Sequence, residues 1–511
     1  MLLKPGTLTL KDLRDFSAQD MELELAPADR QRMAQSRQVV EDRIAQGITT
    51  YGVNTGFGTL SGHLISARDL DELQRRLIVS NAAGTGEFMG RNDVRRMMLL
   101  KASALATGRS GARPQLAEAI LALLNHDITP CVPSKGSVGA SGDLAPLAHM
   151  GAALIGTGDV LHAGCIVSAT AALEAAGLKP FKFAAKEGLS IVNGTQASTS
   201  FAVAGLFRAE ELLAAALVAG ALSVEAAHGQ DMAFDARLHQ ARGQPGQIAV
   251  AGMLRMLLAE SGIRVDARVN GRLQDPYCLR CQPQVMGACL DQLRHAATVI
   301  GHEINAWTDN PMVDAESGDI LYGGNFHAEP VGMAADMIAV ALAEIGAMSE
   351  RRIAMLTDPH HSRLPAFLVK ETGLDSGFMV AQVTAAALAS ENKSLAHPAS
   401  VDSIPTTANH EDFVSMATFA ARRLADMADN VAAILAIELL AACQGLEFRR
   451  PARSSKLLED IHARIRRLVP AYEEDRFFAP DIAAVKDLVL SGAFLAMLPP
   501  DLALSSASSC P

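Results

Sequence analysis

Residues 203–227 read VAGLFRAEELLAAALVAGALSVEAA. Alanine and leucine dominate, and no proline interrupts the run, so helix propensity is high throughout. Arg208, Glu210, Glu211 and Glu225 break the apolar sequence, which excludes a membrane span and predicts a helix buried in a protein core. Similar patterns predict helices at 200–228, 283–307, 331–356 and 379–396. A further helix is predicted over 411–444, where Leu424, Met427, Val431 and Ile434 recur at three- and four-residue steps. There Glu411 and Asp412 would serve the positive end of the helix dipole, and Gly445 would end the helix.

The 511 residues are 49% hydrophobic but only 4% aromatic. That balance favours long helices packed through small side chains over β-sandwiches, which lean on β-branched and aromatic residues. The expected fold is mainly α, an elongated bundle of long antiparallel helices with a smaller mixed N-terminal region. Residues 1–195 would form that region and 196–511 the long-helix bundle with a C-terminal helical part, all in one integrated unit. A formal charge of -11 with no basic block argues against nucleic acid. The opening MLLKPGTLTLKDLRDF carries charges throughout and has no apolar leader core. No membrane association and a cytoplasmic location are therefore expected. Seven scattered cysteines do not form a disulfide framework, and Cys278-Leu279-Arg280-Cys281 lacks the second pair that zinc would require. The expected metal content is none.

Common catalytic motifs fail on spacing. GASGD is not a GxSxG nucleophile elbow, GTGEFMG and GFGTLSG miss the GxGxxG pattern, and no GxxxxGK[ST] loop occurs. His302-Glu303 starts like a zinc-protease helix, but position 306 is Ala.

Residues 136–150 read GSVGASGDLAPLAHM. The glycines permit positive φ, Asp143 is a good N-cap, and Pro146 suits a first helical turn. The same small residues permit chemistry. If the Gly142 amide nitrogen attacks the Ala140 carbonyl carbon, a five-membered ring closes. Loss of water from the ring and of the Ser141 hydroxyl then leaves an exocyclic methylene conjugated to an imidazolone. This is a strong electrophile made from the chain alone, with no external cofactor.

GSVGASGDLAPLAHM resembles the signature of the histidine and aromatic amino acid ammonia-lyase family, whose members carry this methylidene-imidazolone (MIO). TYGVNTGFG, VNGTQA, QDPYCLRCQPQVMG, INAWTDNP, GGNFHAEPV, ENKSLAHPASVDS and NHEDFVSM resemble further family blocks, in family order, across nearly the whole chain. Overall length and the opening TLTLKDL are similar to the bacterial enzymes acting on histidine. The resemblance implies a helical homotetramer with active sites built by several subunits. It implies elimination of ammonia from L-histidine to give urocanate. The alternative it leaves open is an MIO-dependent lyase or aminomutase acting on a histidine derivative or another aromatic or polar amino acid.

The resemblance also assigns roles. Ala140, Ser141 and Gly142 form the MIO, Tyr51 is the base for the β-proton, and Tyr277 is a second active-site tyrosine. Arg280 holds the substrate carboxylate; Asn193 helps bind it and supports the MIO. Phe326 forms an aromatic wall, and Gln274 supports the tyrosines. Glu411 marks a histidine substrate, because a carboxylate pairs with imidazole but is uncompensated beside a phenyl ring. Two features depart from the family pattern. Asn81 stands where a histidine would help hold the imidazole, and His410 and Phe413 replace the usual Gln and His around Glu411.

Overall fold

The computed structural model describes residues 2–18 and 21–497, with Pro499, Leu502 and Leu504. Its principal helices are α1 (Leu70–Asn81), α2 (Arg91–Ala106), α3 (Leu144–Leu154), α4 (Glu187–Val192), α5 (Gln196–Ala226), α6 (Tyr277–Arg280), α7 (Gln282–Glu303), α8 (Glu329–Thr357), α9 (Met379–Leu395) and α10 (Leu424–Glu447). The mainly α class is as the composition implied, and α5, α7, α8 and α9 fall where the apolar patterns placed helices.

Strands are short: β1 (Thr85–Phe88), β2 (Thr129–Pro130), β3 (Pro133–Lys135), β4 (Asp159–His162) and β5 (Cys165–Ser168). β1 pairs antiparallel with β3, and β2-β4-β5 form a small sheet. They bracket the tripeptide loop in sequence, with β3 ending just before Gly136 and β4 beginning after α3.

The chain divides into two compact bodies. The first comprises Met1–Ala204, Thr298–Asp336 and Pro398–Arg422; the second comprises Gly205–Ala297, Met337–His397 and Arg423–Pro511. In the second body α10 packs on α9 and on the helix Ala479–Leu490. Leu424, Met427, Val431 and Ile434 are fully buried there, each large apolar side chain contributing roughly 1.5–3 kcal/mol. Small residues set the helix spacing. A Cβ on Gly445 would lie 2.8 Å from Ala226 Cβ, so alanine there would push two helices apart.

Gly445 thus sits inside α10 and does not end it, and the predicted 411–444 helix is corrected at its other end too. α10 begins at Leu424, after a separate short helix at Ala417–Arg422. Residues 406–416 form a turn in which Thr407, Ala408, Asn409 and Met416 have positive φ. The apolar periodicity ran on into a segment whose backbone follows side-chain hydrogen bonds. Among the described residues, α8 alone has the length and composition to cross a membrane, and 61% of its apolar window is buried inside the protein.

Candidate active site

Tripeptide Ala140-Ser141-Gly142 lies at the entrance to α3. As expected, Asp143 stands at the N-cap and the helix starts directly after it, but its side chain makes no cap hydrogen bond. Its fully buried carboxylate instead accepts from Ser137 Oγ (3.0 Å), Thr418 Oγ1 (2.6 Å), Ser198 N (2.7 Å) and Ser198 Oγ (2.9 Å). Four donors satisfy this buried carboxylate. They tie α3, the start of α5 and the 415–418 segment to one point.

Gly142 has φ +74, and a Cβ there would lie 2.1 Å from Gly194 O. Only glycine fits. Gly194 O accepts from Asp143 N at 2.7 Å, and Gly194 N donates to Ser141 O at 3.4 Å. The tripeptide is thereby clamped against the Asn193-Gly194 turn that leaves α4. A tight, positive-φ glycine with an unhindered nitrogen, beside a small buried Ala140, fits the ring closure that an MIO requires.

Above the tripeptide opens a cavity of about 1060 Å³ lined by Tyr51, Asn81, Ala140, Ser141, Asn193, Phe326 and Glu411, all belonging to the first body. Seven of the sequence-predicted site positions therefore meet in one place, while Gly142, next in the chain to Ser141, does not line the cavity. Gln274, Tyr277 and Arg280 belong to the second body and do not line this cavity. Tyr277 is 70% exposed. The Arg280 guanidinium stacks 4.5 Å from its ring centroid and is in no ion pair among the described residues.

Glu411 is half-buried in the 406–416 turn, not on a helix. Its Oε1 accepts from Ser141 Oγ at 2.8 Å, while Oε2 accepts from Thr406 Oγ1 and Thr407 Oγ1, each at 2.7 Å. Burial pushes the carboxyl upward, but these three hydroxyls and the charge of His410 outweigh it and hold the pKa below its ordinary value. A carboxylate is thus presented to the cavity at neutral pH.

Around it stand aromatic and imidazole groups. Tyr51 and Tyr322 meet edge-to-face at 6.2 Å, and Gly58 N donates to Tyr51 Oη at 3.3 Å. His327 stacks on Phe413. Two amides are oriented by the chain itself. Asn193 Nδ2 donates to Asn310 O at 2.9 Å and to Asp309 Oδ1 at 3.4 Å. Asn81 Nδ2 donates to Leu77 O at 2.7 Å. Because Leu77 O can only accept, the amide orientation at Asn81 follows, and Oδ1 has no partner among the described residues.

Sequence reasoning missed Tyr322, His63 and His327 in the lining. It also missed His149, whose Nε2 accepts from Gly84 N at 3.1 Å and pins the segment after Asn81 to α3. Burial lowers the His149 pKa, which keeps it a neutral acceptor. Lys101, Lys186 and Asp309 are buried around Asn193, whose turn clamps the tripeptide. Lys101 had a visible signal, a lone cation inside the apolar run MMLLKASALA.

The sequence pattern of aromatic amino acid lyases matches residues 8–467. The chain belongs to that family. A histidine ammonia-lyase of Idiomarina loihiensis is 56% identical over 497 residues, 97% of either chain. The crystal structure of histidine ammonia-lyase from Trypanosoma cruzi matches with a TM-score of 0.92 at 36% identity, covering 100% of this chain and 98% of that one. Tyrosine aminomutase from Streptomyces globisporus matches equally well, with a TM-score of 0.92 at 34% identity over 98% and 99% of the two chains. Lyase-family architecture therefore carries more than one substrate and outcome, and the side chains of the cavity must decide between them.

Proposed function

We propose that this chain is a carbon–nitrogen lyase that eliminates ammonia from L-histidine to give urocanate, with an MIO made from Ala140, Ser141 and Gly142. The observation that carries the substrate is Glu411, a charged carboxylate facing Ser141 inside the cavity. Thr406 and Thr407 hold Oε2, while the Ser141 hydroxyl on Oε1 is lost when the MIO forms; an imidazole or imidazolium N–H then pairs with Oε1, whereas a phenyl ring offers it no donor. The 56% identity to a histidine ammonia-lyase supports the same reading.

When present, the MIO supplies an electrophile that turns the substrate's amino group into a leaving group. Tyr51 Oη takes the β-proton, and the Gly58 N–H donates to that same oxygen, which orients it toward the cavity. Asn193 has both amide hydrogens engaged within the protein, so the carboxylate, which the resemblance shares between Asn193 and Arg280, falls to Arg280, and Asn193 is left to support the tripeptide. Phe326 walls the ring side. In the segment that leads to Arg280 the chain exposes Val265, Val269, Leu273 and Tyr277, a density of exposed apolar side chains that a monomer seldom presents. We assign this surface to contact with further copies in a homotetramer, which would bring Gln274, Tyr277 and Arg280 to a neighbouring copy's cavity. A cytoplasmic location, where the described cysteines stay reduced thiols, completes the reading.

Asn81 favours a second reading within the same chemistry. It offers an acceptor where the family places a histidine, and it is shorter. That leaves room for a substituted histidine, or for an aminomutase that returns the amine to the β-carbon.

Glu411→Gln tests the substrate assignment. Loss of one charged hydrogen bond is worth about 1.5–3 kcal/mol, so the KM for L-histidine should rise roughly ten- to hundredfold, with L-phenylalanine gaining relative to it. A variant that handles L-histidine as the parent does would overturn the assignment.

A further inference from the structure

We propose that Lys101 is a positioning residue for ring closure and dehydration of the Ala140-Ser141-Gly142 tripeptide, acting through the Asn193–Gly194 peptide. This rests on the reading that the tripeptide cyclises. Lys101 lies in α2 and is 2% exposed. Its Nζ donates to Ser190 O at 3.1 Å and to Asn193 O. Both carbonyls belong to the C-terminal end of α4, where helix carbonyls lack partners and the dipole favours a cation.

One planar peptide group then connects lysine to tripeptide. Its carbonyl oxygen, Asn193 O, accepts from Lys101, and its N–H, on Gly194, donates to Ser141 O. Drawing electrons toward the carbonyl strengthens the N–H as a donor, because the two share one resonance system.

Ser141 O is where such a donor matters. Gly142 N bonds to Ala140 C, and the Gly142 N–H proton moves to the Ala140 oxygen. That hydroxyl leaves as water with the Ser141 N–H proton, forming a C=N bond. The Ser141 Cα proton and Oγ hydroxyl leave as a second water, forming Cα=Cβ. Atoms balance and nothing is oxidised. Removing the Cα proton places negative charge on the adjacent Ser141 O, which a preorganised N–H stabilises.

Lys101 is costly to bury. Burial brings its pKa down to about 7, against the opposing pull of Asp309 and Asp143, and Lys186 adds repulsion. These groups reach it from the 308–310 segment, the start of α3 and the residue before α4. Beyond them Arg37 faces Lys186, and Glu303 faces Asp143.

The test follows the intact mass of chains freshly made by cell-free synthesis. The parent should lose two waters. Lys101→Met, folded by circular dichroism and thermal melting, should lose them at least about tenfold more slowly, as expected for loss of a charged donor. A parent that never loses two waters would overturn the cyclisation reading itself. A Lys101→Met chain that loses them at the parental rate would overturn only the role of Lys101. If that variant does not fold, the parent decides by its pH dependence. Its dehydration should slow severalfold from about pH 6 to about pH 8.5 as Lys101 discharges. Simple base assistance would speed it up, and a rising or flat profile would overturn the proposal.

Discussion

Each body of the molecule buries a cluster of charges, and the two clusters are built differently. In the second body, Glu438 accepts from Arg352 Nε at 2.5 Å and Nη2 at 2.8 Å, from Ser223 Oγ at 2.7 Å and from Ser349 Oγ at 2.6 Å. This cluster closes on side chains and clasps α5, α8 and α10 together. In the first body, Asp143 and Lys101 reach hydroxyls and backbone groups around the tripeptide, while Lys186 pairs with Asp309 at 2.8 Å. There the charges hold the backbone around the tripeptide as well as the helix ends that meet it. Buried charge serves stability in one body and chemistry in the other.

That contrast can be broken at several points. Tyr51→Phe, on the cavity wall, should lower turnover by about 10²–10⁴-fold, the range of one acid–base group. Its melting temperature and its two-water mass deficit should stay as in the parent. A Tyr51→Phe enzyme with parental turnover would remove Tyr51 as the base. Glu438→Ala should behave in the opposite way. Stranding the fully buried Arg352 costs about 3–5 kcal/mol of stability, readable by denaturant unfolding, while turnover per folded molecule stays unchanged. Loss of chemistry without loss of stability would make the two clusters equivalent and end the distinction.

Asn81→His sharpens it at the smallest scale. Restoring an imidazole partner should raise kcat/KM for L-histidine about three- to tenfold, the worth of one neutral hydrogen bond. A fall would point to a substituted histidine as the natural substrate.

Much of this was legible in the residues. The long helices show because alanine, leucine and apolar periodicity survive over several turns, and the tripeptide shows because its glycines and serine permit a specific ring closure. Glu411 was legible as a cavity acid but not as a loop residue. The turn that carries it depends on Thr406 and Thr407 bonding its carboxylate and on Ser415 Oγ bonding Gly139 O at 3.0 Å, and no local periodicity records such a contact. Asp143 holds the expected N-cap position, but its side chain turns away from the helix for the same reason. Ser198 and Thr418, remote in sequence, supply better donors than its own helix does.

The most direct measurement is urocanate formation from L-histidine by the purified protein, with its intact mass taken on the same sample and Ser141→Ala run beside it. The account predicts steady turnover by a chain two waters lighter than its sequence. It predicts turnover lower by orders of magnitude, and no such deficit, in Ser141→Ala. Urocanate made at parental rates by Ser141→Ala, or by a chain at full sequence mass, would contradict it.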